Sequence, residues 1–263
     1  MILSRIISFL RYFFQATNAH GIHSPFIYDL YTTVICVRKK YYDLDELKDF
    51  RQQLAKDNTE LTLIDLGAGS FNKPAPLQQV HIKDIYKRSC HSEKDTALLY
   101  RLVLHFQPSC ILELGTCLGV STLYLSKANK KANVYTLEGN PDYAAQARKS
   151  FIQWQAHNIT LIEGNIHQTL NIAMDRIPSL DFAFLDAHHA YEPTLQFFKT
   201  CLTKVHEDSV IILDDIHWSK EMERAWESIK QMEEVKQTID LFQFGIVFFK
   251  SGQVKEHFVL RYL

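Results

Sequence analysis

The sequence predicts an α/β fold: a doubly wound, mostly parallel sheet that ends in an antiparallel hairpin, preceded by a mainly helical N-terminal extension. Three observations predict it. Short apolar runs recur at 111–114, 133–138, 159–163, 181–186 and 209–214, with helix-period segments near 120–129, 141–156, 167–175, 192–204 and 219–233 between them. Strands of a parallel sheet covered on both faces read this way. The run from Ile111 to Leu125 reads as a buried strand, a glycine turn and the first turns of a helix. Finally, two β-rich runs, 237–249 and 254–262, are joined by Ser251-Gly252-Gln253, which is a hairpin signal.

Taken in order, the first fourteen residues form an amphipathic helix with Ile2, Ile6, Phe9, Leu10 and Phe13 on one face. Arg5 and Arg11 interrupt it, and it is too short to span a bilayer. It also lacks a cleavage site of the signal-peptide kind. The expectation is that it packs on the body or on a partner subunit as a homodimer contact, without stable membrane insertion. The helical extension breaks at His20-Gly21-Ile22-His23-Ser24-Pro25, a loop that is structural or covers substrate. Leu61 to Ser70 reads as a strand followed by D-x-G-x-G, but Pro74 and Pro76 disfavour an immediate helix. That stretch is read as strand and loop, not as a cofactor turn. Residues 91–107 form a helix capped by Ser92, with Leu98, Leu102 and Phe106 on one face. The domain boundary falls between an extension, 1–88, and an α/β domain, 89–263.

A chain of 263 residues with 46% hydrophobic content has enough apolar side chain for a sizeable core. A formal charge of -1 argues against a broad nucleic-acid footprint. Five scattered cysteines with no C-x-x-C pair are neither a disulfide framework nor a zinc ribbon, and they point to a reducing, cytoplasmic setting. Cys117 inside the glycine turn reads as a small turn residue.

Gly115 and Gly119 permit a tight turn and close approach of a ligand, and Ser121 and Thr122 stand at the helix start where amides face that turn. Glu138 ends the next strand, 23 residues after Gly115. An acid about 20 residues on accepts from ribose hydroxyls in doubly wound folds. The G-x-x-x-G spacing lacks the third glycine of the dinucleotide fingerprint. A ligand with a ribose and no pyrophosphate fits better, and S-adenosylmethionine is such a ligand.

From about residue 90 onward the chain resembles the class I S-adenosylmethionine-dependent methyltransferases, most closely the small-molecule O-methyltransferases of the catechol and caffeoyl-CoA type. Ser92-Glu93-Lys94 leading into Leu98-Leu99 resembles their S-P-E-x-G helix. Glu113 to Ser121 resembles their E-[IL]-G-T-x-x-G-x-S turn, and Asp181 to Tyr191 their fourth strand with its terminal aspartate. The resemblance implies a Rossmann-like methyltransferase fold and a cofactor site of Glu113, Gly115, Thr116, Gly119, Ser121, Glu138, Asn165 and Asp186. Gly115, Thr116 and Gly119 would hold the methionine part, Glu138 the ribose and Asn165 the adenine. It also implies a Mg²⁺ site at Asp186, Asp214 and Asp215, where the resembled enzymes have two aspartates and an asparagine. Asp215 is an acid in place of that amide, which suits either a retained cation or a metal-free site. A lysine of the resembled enzymes is replaced by His189, which is able to act as general base. His188 and His217 are alternatives, and Trp218 would wall the pocket of a small hydroxylated acceptor. Three rival readings are weighed beside this one, of which a nicotinamide-dependent oxidoreductase is disfavoured by the missing third glycine. A nucleic-acid methyltransferase would carry [DN]-P-P-[FY] where this chain has Asp186-Ala187-His188-His189. A non-catalytic cofactor-binding scaffold is the third.

Overall fold

The chain folds as two units, Arg38–Ala173 and Met1–Val37 together with Met174–Leu263. The computed structural model describes residues 2–37, 39, 41–63 and 78–262. The units do not divide at 88/89, where the sequence suggested a boundary. The extension is shared out: its first helices pack with the C-terminal part of the chain, the rest with the central part.

Helix α1 (Ile2–Gln15) opens the terminal unit. A 3₁₀ turn at Ala19–Gly21 precedes α2 (Pro25–Leu30), which starts at Pro25 and is capped by Ser24, whose hydroxyl accepts the Ile27 N–H. The helical break expected at His20–Pro25 lies here. In the central unit α3 (Asp43–Lys56) leads to β1 (Glu60–Leu63), paired antiparallel with β2 (Gln78–His81). The strand expected near residue 61 is thus present, while the D-x-G-x-G turn lies outside the described residues. Two helices follow, α4 (Ile82–Ser89) and α5 (Glu93–Phe106), the latter capped by Ser92 as its sequence predicts.

The α/β repeat then begins: β3 (Cys110–Leu114), α6 (Val120–Ala128), β4 (Asn133–Glu138), α7 (Pro141–Gln153) and β5 (Ile159–Glu163). These three strands are parallel, with β4 in the middle. All five residues of β3 are buried. One buried cation braces the unit. Arg51 on α3 donates to the hydroxyls of Tyr86, Thr96 and Tyr124 and to the carbonyls of His91 and Ser92, tying α3 to α4, α5 and α6.

Helix α8 (Ile166–Arg176) carries the chain back to the terminal unit. There β6 (Phe182–Leu185), α9 (Tyr191–Leu202), β7 (Val210–Asp214) and α10 (Lys220–Gln231) continue the alternation, with β6 and β7 parallel and buried throughout. The end departs from expectation. The run 237–249 is itself a hairpin of β8 (Gln237–Asp240) and β9 (Phe244–Phe248), and β9 also pairs antiparallel with β7. The last strand, β10 (Glu256–Val259), does not fold back across Ser251-Gly252-Gln253 onto β9; it pairs parallel with β8. The true turn has no glycine. Asp240 accepts the Phe242 N–H, and Phe242 takes the positive φ of 71° itself.

Of the apolar face read for helix α1, Ile6, Leu10 and Phe13 point outward, while Phe9 packs edge-on against Phe242. Ser8 donates to Glu223 at 2.7 Å, Tyr12 Oη to the Leu260 carbonyl at 2.6 Å, and Arg5 to Gln243 at 3.3 Å. Periodicity identifies which residues share a face. It does not say that polar residues which find buried partners will claim the inner side.

Candidate active site

The central unit gathers a glycine turn and the ends of three parallel strands. Register places Leu114 beside Leu137 and Glu138 beside Glu163, so the segments that follow all leave the same edge of the sheet. Ligands of open α/β sheets bind at that edge. Gly115 has φ 97° and Gly119 φ 81°, which glycine adopts without strain. A Cβ on Gly119 would lie 2.7 Å from the Phe151 ring, so the turn also needs glycine for space. Glu138 is buried at the end of β4, accepting the Cys117 N–H on one oxygen and the Asn140 N–H on the other, both at 2.7 Å. Its carboxylate therefore fixes the glycine turn relative to the β4–α7 loop. A carboxylate is an acceptor with two lone pairs on each oxygen, the chemistry that hydroxyl donors require.

The other residues of the expected cofactor set fall into place differently. Glu113 is fully buried and accepts from the Thr122 and Thr136 hydroxyls, while the Thr116 and Thr136 hydroxyls share a 2.6 Å hydrogen bond. Glu113 and Thr116 thus lock β3, β4 and α6 together beneath the turn. The amides of Gly115 and Thr116 both donate to the Leu137 carbonyl. Ser121 is buried in the first turn of α6. Asn165 is exposed just before α8, where its side chain accepts the His167 N–H at 3.0 Å. It joins Gly115 and Glu138 at the sheet edge and caps a helix at the same time. Cys117 has its thiol pKa held well above the ordinary value by the adjoining Cys90 thiol and by desolvation, so it stays protonated.

The terminal unit gathers the titratable groups. Asp186 follows β6, Asp214 ends β7 and Asp215 comes next with φ 52°. His189 Nε2 lies 3.4 Å from Asp186 Oδ1, and donor atoms of His189, Asp214 and Asp215 come within 4.8 Å of one another. Burial pulls the His189 pKa down, but the carboxylates of Asp186, Asp214 and Asp215 outweigh it and push it up to about 9.

Two residues that the sequence reading passed over organise this cluster. Gln243, in the β8–β9 turn, donates through Nε2 to Asp214 at 2.9 Å and Asp215 at 2.8 Å. Arg5, from α1, donates to Gln243 Oε1, lies 3.6 Å from Asp215 Oδ1 and stacks 4.8 Å over Trp218. A glutamine between two aromatics and an arginine on an apolar helix were the only signals available. His217 is placed elsewhere. Its Nδ1 faces Glu223 at 3.2 Å, its Nε2 faces Asp240 at 2.8 Å, and its ring stacks on Phe242. Burial lowers its pKa, yet Asp240 and Glu223 raise it further than burial lowers it. With both nitrogens engaged it ties α10 to β8. His188 has φ 65° and lies against Phe197.

Residues 112–216, from β3 to just past β7, match the family model described as a methyltransferase domain. Solved structures agree in fold. The O-methyltransferase from Bacillus cereus, in complex with S-adenosylhomocysteine, is 19% identical with a TM-score of 0.55, over 83% of this chain and 93% of that one. The S-adenosylhomocysteine-bound methyltransferase of Podospora anserina is 16% identical with a TM-score of 0.59, over 88% and 98%. The O-methyltransferase TomG from Streptomyces achromogenes, in complex with S-adenosylmethionine, is 18% identical with a TM-score of 0.55, over 85% and 96%. The fold is the Rossmann-like one that these structures share.

Proposed function

We propose that this protein is an S-adenosylmethionine-dependent O-methyltransferase acting on a small hydroxylated acceptor. The observation that carries the reading is the glycine turn pinned by Glu138 at the ends of three parallel strands, within a segment that matches a methyltransferase domain. The neighbours in fold that bind S-adenosylmethionine or its product support it. Gly115 and Gly119 leave room at the turn, Glu138 would hold ribose hydroxyls and Asn165 would face the adenine. When bound, the cofactor supplies a methyl group already activated on a sulfonium.

The remaining work is to place the acceptor oxygen and remove its proton. His189 is the base in this reading. With Nε2 directed at Asp186, Nδ1 is the nitrogen that would take the proton of the acceptor hydroxyl. Asp186 holds the ring and stabilises the imidazolium that results.

Mg²⁺ is a poor fit to the same cluster. It requires near-octahedral oxygen coordination. Here one of the three converging donors is an imidazole nitrogen, Gln243 donates to both Asp214 and Asp215, and Arg5 stands beside Asp215. Asp186, the third carboxylate expected to bind the ion, lies against His189. Arg5 and His189 supply the compensating charge, and no step here runs through a cation.

The test is transfer of labelled methyl from S-adenosylmethionine to a panel of catechols, phenols and aliphatic alcohols, with EDTA or Mg²⁺ present. Methylation of a hydroxyl is expected, with a rate that EDTA changes by less than about twofold. No labelled product across the panel would favour the scaffold reading, and a large loss in EDTA restored by Mg²⁺ would return the metal to the mechanism.

A further inference from the structure

Helix α1 is inverted relative to an ordinary surface helix. Its polar side chains, Arg5, Ser8 and Tyr12, point into the terminal unit and are fixed there by hydrogen bonds. Phe9 packs edge-on against Phe242, but other apolar side chains point out: Phe14 is 82% exposed, and Ile6, Ile7 and Leu10 are each about half exposed. Leu10 and Phe14 are four residues apart, as are Ile6 and Leu10, so they form a continuous stripe. The inner contacts hold the helix in place, and its apolar stripe is a fixed surface. A patch of this kind marks an interaction site.

Charge around the stripe identifies what covers it. The helix has no acidic residue among positions 2–15. Arg11 is exposed on the same helix, Arg261 lies 5.2 Å over the Phe13 ring, and Arg5 lies over the half-exposed Trp218. Large apolar side chains flanked by arginines and a tryptophan match the boundary between lipid headgroups and acyl chains. A second copy of the chain matches less well. A two-fold contact brings the same patch onto itself, and the helix carries two arginines with no carboxylate to pair with them across such a contact. No described helix is long and apolar enough to cross a membrane, and α1 itself has 14 residues.

We propose that the outward face of α1 docks the protein on an anionic lipid surface. Ile6, Ile7, Leu10 and Phe14 enter the headgroup region, and Arg11 and Arg261 meet lipid phosphates or carboxylates. The contact is peripheral and salt-sensitive, because each arginine near such a surface contributes about 1 kcal/mol, or roughly fivefold in partitioning.

Co-sedimentation of the full chain with vesicles tests this. One set is pure phosphatidylcholine and the other contains phosphatidylserine. Binding to the anionic vesicles is expected, weakened by high salt, with little binding to the neutral ones. The double variant Ile7→Glu with Phe14→Glu should lose more than about tenfold in partitioning, while Arg11→Glu loses less. Both changes are at exposed positions, and unchanged binding of S-adenosylhomocysteine by the variants would show that they fold. Absence of sedimentation with either vesicle overturns the proposal. So does a stable dimer in light scattering that the double variant dissociates, which would assign the stripe to a second copy.

Discussion

Replacing Glu138 by alanine is expected to weaken binding of S-adenosylhomocysteine by about a hundredfold or more, since two hydrogen bonds from ribose hydroxyls to a charged acceptor are lost. The carboxylate has a second duty that enlarges the effect. It accepts the amides of Cys117 and Asn140, so its removal also frees the glycine turn from the β4–α7 loop. Glu138→Gln grades the two. It keeps the side-chain shape and one acceptor oxygen, but its NH₂ must face the N–H of Cys117 or Asn140, so it should lose about half of the structural tie as well as affinity through the missing charge, and melt between wild type and the alanine variant. The measurement is calorimetric titration of the three proteins beside their thermal melts. Affinity unchanged in both variants would remove Glu138 from the cofactor site, and with it the reading of the strand ends.

The second large effect is expected at His189. Its pKa stands at about 9, above the ordinary value of 6.5, so the ring is charged throughout the neutral range. A base must be neutral. At pH 7 only about one molecule in a hundred therefore has the reactive form, and kcat/KM should climb about tenfold per pH unit before levelling near pH 9. His189→Gln should remove this rise and cost roughly 10²- to 10⁴-fold in rate at pH 9, leaving the affinity for S-adenosylhomocysteine nearly unchanged. Asp186→Asn should move the inflection downward, because one of the charges that raise the pKa is gone. A wild-type profile that stays flat or falls between pH 7 and 9 would sink the base role and leave His189 as a positive charge beside the acceptor oxygen.

The stability linkage has the same sign. A histidine whose folded pKa is raised contributes stability that is fully present below its unfolded value and fades as pH rises through the folded one. For His189 that window runs from about 6.5 to about 9. His217 shares the direction, so the ties of α10 to β8 also loosen on the alkaline side.

How much of this was legible in the sequence depends on how local each feature is. The glycine turn, the acid at the end of β4 and the cap of α5 are set by a few consecutive residues, and they read correctly. The alternation of β3 to β7 with their helices was equally readable, because each strand is a short apolar run and β3, β6 and β7 bury theirs throughout. What failed was long-range. No spacing rule says that Gln243 reaches Asp214 and Asp215, since the contact depends on the β8–β9 turn, and that turn uses Phe242 where a glycine would have announced it. Arg5 was read as an interruption of an apolar helix and is instead a member of the carboxylate cluster. His217 was placed with the catalytic groups because it follows two aspartates, and its ring is taken by Glu223 and Asp240, residues 6 and 23 positions away. Asn165 follows a glycine and so also reads as an ordinary turn residue; its hydrogen bond from the His167 N–H, which caps α8, is visible only in the structure.

The central claim is that the ends of β3, β4 and β5 hold S-adenosylmethionine, and the most direct test is isothermal calorimetry of the unmodified protein with S-adenosylhomocysteine at two temperatures. A single site with Kd of about 1 μM, corresponding to about -8 kcal/mol, is the predicted result. No heat at either temperature, with the protein folded by its thermal melt, would contradict the account.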